Sequence, residues 1–316
     1  MFNQNLSFSE ALDGFTYYLY ASGYSDTTVE AYISSLKRIC DKWENPKLED
    51  INRFRVQAYF ADLKKSGRAS ETVRTYVKHF RAFFNWARNE LEIQSLPDLS
   101  GMKNRQKTTS DVNPLSESEI IAMLKAAKYT RPAETHGRKS FTMPRPTAKR
   151  DIALIMTLLD TGLRVSECAR LTMADVNLKN GEIRIKAHET GLKSKPRTVV
   201  LGKNARNAVW RYTAERDNPD QDDPLFVTMN NKPMDRNSIR KVLNSLGNAA
   251  GIKGVHPHRF RHTFAIQYLR NGGDPFTLRR LIGHEGFRMV NYYLSLSQDD
   301  VNSAHKRASP VDNWDL

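Results

Sequence analysis

Only one part of this 316-residue chain alternates with the two-residue period of a strand pair. Gly181-Glu182-Ile183-Arg184-Ile185-Lys186 and Thr198-Val199-Val200-Leu201 flank a turn-rich segment and together read as a hairpin. Elsewhere the apolar residues recur at three- and four-residue spacing, the period of helices with one buried face. The fold expected is mainly α, with one small antiparallel β-sheet.

The first hundred residues read as four helices. Phe8, Ala11, Leu12, Phe15 and Leu19 mark the first, which Gly23 and Tyr24 interrupt. Ser25, Asp26 and Thr27 supply candidate caps for a helix over 27–43, and two more follow over 53–66 and 70–92. The last carries Tyr76, His79, Phe80, Phe83, Phe84 and Trp86, a stripe that reads as core. Pro97, Gly101 and Pro114 then punctuate a polar stretch with Lys103, Arg105 and Lys107, which reads as an exposed linker. Single cores tend to split beyond ~250–300 residues, so two domains are expected. The first is a helical domain over 1–107 whose linker starts near 93; the second spans 108–316.

In the second domain Ser116 and Glu119 form a capping box opening a helix to about 128. Residues 131–150 gather Arg131, Arg138, Lys139, Arg145, Lys149 and Arg150, and Pro132, Pro144 and Pro146 make the stretch a long basic loop. An apolar helix over 149–160 follows. Beyond the hairpin, helical patterns cover 204–216, 235–250, 257–271, 275–282, 287–294 and 298–308.

Lys and Arg number 49 against 35 Asp and Glu, a formal net charge of +14, which is the electrostatic footprint of a polyanion binder. The longest apolar run, Ile152 to Leu159 interrupted only by Thr157, falls short of the ~20 residues a membrane span needs. Two cysteines, Cys40 and Cys168, exclude a disulfide scaffold or a four-cysteine zinc site. A soluble cytoplasmic protein with no membrane partner is expected.

Several residues of the second half suit phosphoryl chemistry. Arg164 and Arg261 can each offer a planar guanidinium fork to phosphate oxygens. His258 and Arg261, three residues apart, share a helix face. His284 follows Gly283, and Tyr292 and Tyr293 follow eight and nine residues later. Lys193 and Lys195 sit in the turn of the hairpin. The order TGLRVSE, lysine-bearing hairpin, HRFRH, LIGH and YY resembles the tyrosine recombinase or phage integrase family, in particular its Xer-like members and the integrases of mobile elements. The helical N-terminal half is similar to that family's core-binding domain, and the resemblance covers essentially the whole chain.

The resemblance implies catalytic roles for Arg164, Lys193, His258, Arg261, His284 and Tyr293, with Tyr293 as the nucleophile because it lies nine residues past His284. The hairpin departs from the family's Gly-Lys-Gly-x-Lys-x-Arg pattern. Aligned on Arg197 the catalytic position falls on Leu192, so Lys193 is the first choice, Lys195 the second and Lys186 the third. Glu167 reads either as an orienting residue or as a helix N-terminal charge. A phenol with a reference pKa of ~10 needs help to ionise. His258 can assist that proton transfer, the two arginines can neutralise phosphate charge, and a lysine can protonate the leaving 5′ oxygen. The implied reaction is site-specific recombination through a covalent 3′-phosphotyrosyl intermediate, without metal, cofactor or ATP. The implied partners are double-stranded DNA with specific sites, contacted by Lys103, Arg105, Lys107, Arg138, Lys139 and Arg145, and three further copies in a tetramer on DNA. Off DNA a monomer or weak dimer is expected, and DNA-bending accessory proteins would fit. Alternatives are a catalytically silent DNA-binding regulator of the same fold, or an enzyme like a type IB topoisomerase or telomere resolvase.

Overall fold

A computed structural model describes residues 6–99, 101, 113–130, 142–187, 195–283 and 286–296, with His305, Ser309 and Val311. The chain divides into two units, Met1–Ser110 and Asp111–Leu316.

The first unit holds α1 (Phe8–Ala21), α2 (Asp26–Lys42), α3 (Arg53–Lys65) and α4 (Ser70–Glu90). Ser7 starts α1 through a capping box: its hydroxyl accepts from Glu10 N, and the Glu10 carboxylate accepts from Ser7 N at 2.9 Å. Gly23 turns the chain between α1 and α2 with φ +76°, a conformation that glycine adopts without a Cβ penalty. The aromatic stripe of α4 is the core of the unit, as the sequence indicates. Phe80 meets Trp43 and Phe60 edge-on at 5.8 and 5.5 Å, and Phe83 meets Phe15 edge-on at 5.4 Å, the arrangement that ring quadrupoles favour. One titratable group is buried with them. His79 lies stacked on Tyr32 at 4.1 Å, its Nδ1 2.5 Å from the Ser35 hydroxyl. Burial, with a smaller contribution from Lys78, pushes its pKa down to about 4.

The second unit is built around α6 (Ala148–Thr161), whose Ala153, Leu154, Ile155 and Leu158 are fully buried. Around it stand α5 (Glu117–Lys128), the short α7 (Val165–Ala169), α8 (Lys203–Thr213), α9 (Arg236–Ala249) and α10 (Pro257–Arg270). The sheet is the anticipated antiparallel hairpin, β1 (Glu182–Ile185) against β2 (Arg197–Val200), in the register Ile183 opposite Val199 and Ile185 opposite Arg197. Ile183, Ile185 and Val199 point into the core, which is why the alternation is visible in the sequence. A smaller apolar cluster joins α10 to α11 (Pro275–Ile282) and α12 (Arg288–Leu296) through Ala265, Ile266, Leu269, Leu278, Ile282, Val290 and Tyr293. The Ser116–Glu119 capping box is present, and Glu119 also takes the guanidinium of Arg259 at 2.9 Å, bracing α5 against α10.

The basic stretch 131–150 differs from a simple loop where it is described. Tyr129 bridges Pro144, and residues 148–150 form the first turn of α6. The cause is Asp151, wholly buried in that turn, which draws in the guanidinium groups of Arg145 at 3.2 Å and Arg150 at 2.7 Å. A buried carboxylate needs such partners. The terminal helix anticipated over 298–308 lies outside the described residues, apart from His305, which is helical.

Candidate active site

The site begins where α6 stops. Gly162 takes the left-handed conformation (φ +59°), and a Cβ there would sit 2.3 Å from a ring carbon of Phe264. Only glycine satisfies both the turn and the close approach of α10. The chain then turns through buried Leu163 and presents Arg164 as the N-cap of α7, with Glu167 one turn on.

Glu167 is fully buried and acts as a receptor for two arginines. Its carboxylate accepts from Arg164 N at 2.8 Å and Arg164 Nη1 at 3.0 Å. Both terminal nitrogens of Arg197 also donate to it, at 2.9 and 2.8 Å, a bidentate pairing. Burial raises the pKa of Glu167. The hydrogen bonds and charge of Arg197 and then Arg164 outweigh it and hold the carboxyl down at about 2. Glu167 thus caps α7 and binds two guanidinium groups at once.

Three arginines from three elements converge on the last carbonyls of α11. Arg197 Nε donates to Leu281 O at 2.6 Å, Arg261 Nη2 donates to Ile282 O, and Arg164 Nη2 donates to Gly283 O at 2.9 Å. Arg261 also donates to Gly162 O at 2.7 Å, closing the path back to the end of α6. Carbonyls at a helix C-terminus lack intrahelical donors and attract cations, so the end of α11 is a natural mooring for them. Arg261 is almost wholly buried, which together with the charge of Arg164 brings its pKa down to about 10, so it stays cationic at neutral pH.

On α10, His258 and His262 lie one turn apart with ring centroids 6.3 Å from each other. Burial first, then Arg261, His256 and Arg164, lowers the pKa of His258. His262 is pushed down to about 4 by burial and then by His258, His256 and Arg261, so it is neutral at pH 7. Its Nδ1 is 2.8 Å from the hydroxyl of Tyr293, which α12 delivers to the same place. Tyr293 is 1% exposed. Burial raises its pKa, Arg261 opposes that, and Tyr292 adds to it. Tyr292 is only half-buried, its ring 6.3 Å from that of Tyr293.

Arg164, Glu167, His258, Arg261 and Tyr293 are thus gathered by α7, α10, α11 and α12. Lys193, His284, Lys103, Arg105, Lys107, Arg138 and Lys139 lie outside the described residues. Lys195 is exposed at the foot of β2, Lys186 pairs with Asp175 at 2.9 Å, and Arg145 pairs with Asp151. Two residues of the site escaped the sequence reading. Arg197 served there as an alignment anchor, although its place at the end of a lysine-bearing turn was a signal. His262 stands four residues from His258 in HRFRH, hence on the same face. Among the described residues no group of three or more His, Cys, Asp or Glu side chains is placed to hold a metal ion.

Residues 113–299 match the Phage integrase family, and residues 12–92 match the family's N-terminal SAM-like domain. The chain belongs to the phage integrase family. Relatives of this integrase include the tyrosine recombinase XerC of Pediococcus pentosaceus, 26% identical over 301 residues that cover 91% of this chain and 93% of the relative. The tyrosine recombinase XerA of Pyrococcus furiosus is 26% identical over 308 residues, 96% of each chain. Among solved structures, a lambda integrase dimer bound to a COC′ core site superposes with a TM-score of 0.72 at 15% identity, covering 92% of this chain and 77% of that one. The Tn1549 transposon integrase with transposon right end DNA gives 0.70 at 18% identity, covering 96% and 100%. The mainly helical integrase fold expected from the motifs is therefore the fold of this chain. No helix among its described residues is long and apolar enough to cross a membrane.

Proposed function

We propose that the chain is a site-specific DNA recombinase that breaks and rejoins strands through Tyr293. The observation that carries this reading is the convergence of Arg164 and Arg261 on neighbouring carbonyls of α11, with Tyr293 packed beside Arg261's own helix. Each terminal guanidinium nitrogen bears two N–H groups, and one on each suffices for the protein bonds seen here. The remaining donors suit the nonbridging oxygens of a phosphodiester, whose charge they neutralise in the transition state.

Tyr293 attacks phosphorus, the bond to the 5′ oxygen breaks, and a 3′-phosphotyrosyl linkage conserves the energy of the broken bond. A hairpin lysine, Lys193 before Lys195, supplies the proton of the leaving oxygen, and His284 donates to a phosphate oxygen. A 5′ hydroxyl of a partner duplex then reverses the chemistry. Double-stranded DNA is the substrate, the region 1–107 and its basic linker contribute binding, and four copies assemble on paired sites in the cytoplasm. Relatives named as tyrosine recombinases support this, as does the similarity in fold to a lambda integrase tetramer bound to a Holliday junction.

The test is covalent trapping. Nicked duplexes of random sequence lose the 5′ hydroxyl needed for rejoining, so cleaved DNA stays attached and can be sequenced. The wild-type protein should yield a denaturation-resistant adduct, and Tyr293→Phe should yield none while still retaining DNA. Tight binding by wild type with no adduct would replace this reading with that of a silent DNA-binding regulator.

A further inference from the structure

We infer that His262, rather than His258, takes the proton of the Tyr293 hydroxyl. The inference rests on the recombinase reading and names a catalytic residue within it. The geometry is direct. His262 Nδ1 is 2.8 Å from Tyr293 Oη and, among the described residues, is the one group within hydrogen-bonding distance of that hydroxyl. Their rings meet at 61° with centroids 5.6 Å apart, so the imidazole approaches the phenol at an angle and does not stack on it.

Burial strengthens the point. Tyr293 is almost entirely shielded from water, so its proton has no solvent acceptor in this arrangement. Phenolate formation in such a place needs a neighbour that can accept a proton as the charge develops. A neutral imidazole protonated at Nε2 offers Nδ1 as that acceptor. His262 is kept neutral at physiological pH by burial and by three nearby basic groups, His258, His256 and Arg261. His258 stands one turn away in a different setting. The charge of Arg164 bears on it in addition to that of Arg261, which acts on both rings, and no hydrogen bond among the described residues ties it to the Tyr293 hydroxyl.

The proton and bond changes balance. The Tyr293 O–H proton passes to His262 Nδ1, the Oη–P bond forms, the bond from phosphorus to the 5′ oxygen breaks, and that oxygen receives its proton from the hairpin lysine. In rejoining, the lysine amine takes the proton of the attacking 5′ hydroxyl, and the His262 imidazolium returns its proton to the departing Tyr293 oxygen.

The experiment uses the full chain and the nicked random-sequence duplexes. His262→Asn and His262→Gln both keep a polar group on α10 but cannot hold the transferred proton, and the pair guards against one variant failing to fold. Each should bind the duplexes as wild type does and form adduct about 10²-fold more slowly, the lower end of what general-base catalysis contributes. Difluorotyrosine at position 293, a more acidic phenol, should restore most of the lost rate in the His262 variants. It should leave His258→Asn impaired. Adduct formation within about threefold of wild type in both His262 variants overturns the assignment, as does a defect that the acidic phenol fails to relieve. Absence of any adduct with wild type sinks the recombinase reading, and this one with it.

Discussion

The two units of the chain bury different things. Among the described residues, the buried polar groups of the first unit are Ser35 and His79, which bond to each other inside a shell of aromatic rings. The second unit buries Asp151, Glu167, Asp175, Arg259 and Arg261, all of them groups that carry charge. Hydrophobic packing alone would never place ionised side chains there, because each loses its hydration. The second unit accepts that loss because every such charge is tied to a partner, and the ties of Glu167 and Arg261 run to the ends of α6, α7 and α11, where the proposed chemistry sits. The first unit, with no such chemistry to hold, is free to pack like a simple apolar core.

Removing one charge from the second unit tests this contrast most severely. Glu167→Ala leaves Arg197 without its carboxylate and removes one of the side-chain tethers of Arg164, and should cost about 3–5 kcal/mol, the usual price of breaking a buried ion pair. Urea unfolding should show the loss, and adduct formation per folded molecule should fall at least about tenfold. A loss below ~1 kcal/mol would mean that the buried cluster is not cooperative.

Acid separates the units more gently. His79 has a folded pKa of about 4 against an unfolded value of ~6.5, so the unfolded chain gains its proton first as pH falls. Stability linked to His79 is intact above pH ~6.5 and declines until about pH 4, by roughly 2–3 kcal/mol. Hydrogen exchange of peptides from α2 and α4 should accelerate across that window, and His79→Gln should flatten the response. His262 imposes the same direction on α10 and α12. Glu167 acts lower: its folded pKa of about 2 lies below the usual carboxylate value, so its contribution is complete above pH ~4.5 and is lost on descending toward 2. Exchange in α7 and β2 should therefore carry a second, more acidic phase absent from the first unit.

The smallest effect should come from Tyr292→Phe. The ring is half-buried beside Tyr293, and loss of its hydroxyl should change stability by less than ~0.5 kcal/mol and adduct formation by less than about twofold. An abolished adduct would move the nucleophile to Tyr292.

Much of the fold was legible because each helix buries one face. The stripe from Tyr76 to Trp86, the apolar run of α6 and the alternation of Ile183 and Ile185 are local patterns, and each became the element it suggested. The site was legible where spacing along one helix sufficed, as for His258 and Arg261. It was not legible where partners come from distant segments. Arg197 meets Glu167 across 30 positions, and Arg259 meets Glu119 across 140. His262 lay in view within HRFRH, but its significance depends on α12 bringing Tyr293 to it.

The mooring of Arg164, Arg197 and Arg261 on consecutive carbonyls of one helix end has a consequence for fidelity. The three cations share a single keystone, the turn from Leu281 to Gly283, and a displacement of that turn disturbs all of them together. In the proposed chemistry, a displaced turn would therefore switch off cutting and resealing together. For the proposed cutting and rejoining of DNA, an all-or-none centre is a safeguard written into the backbone.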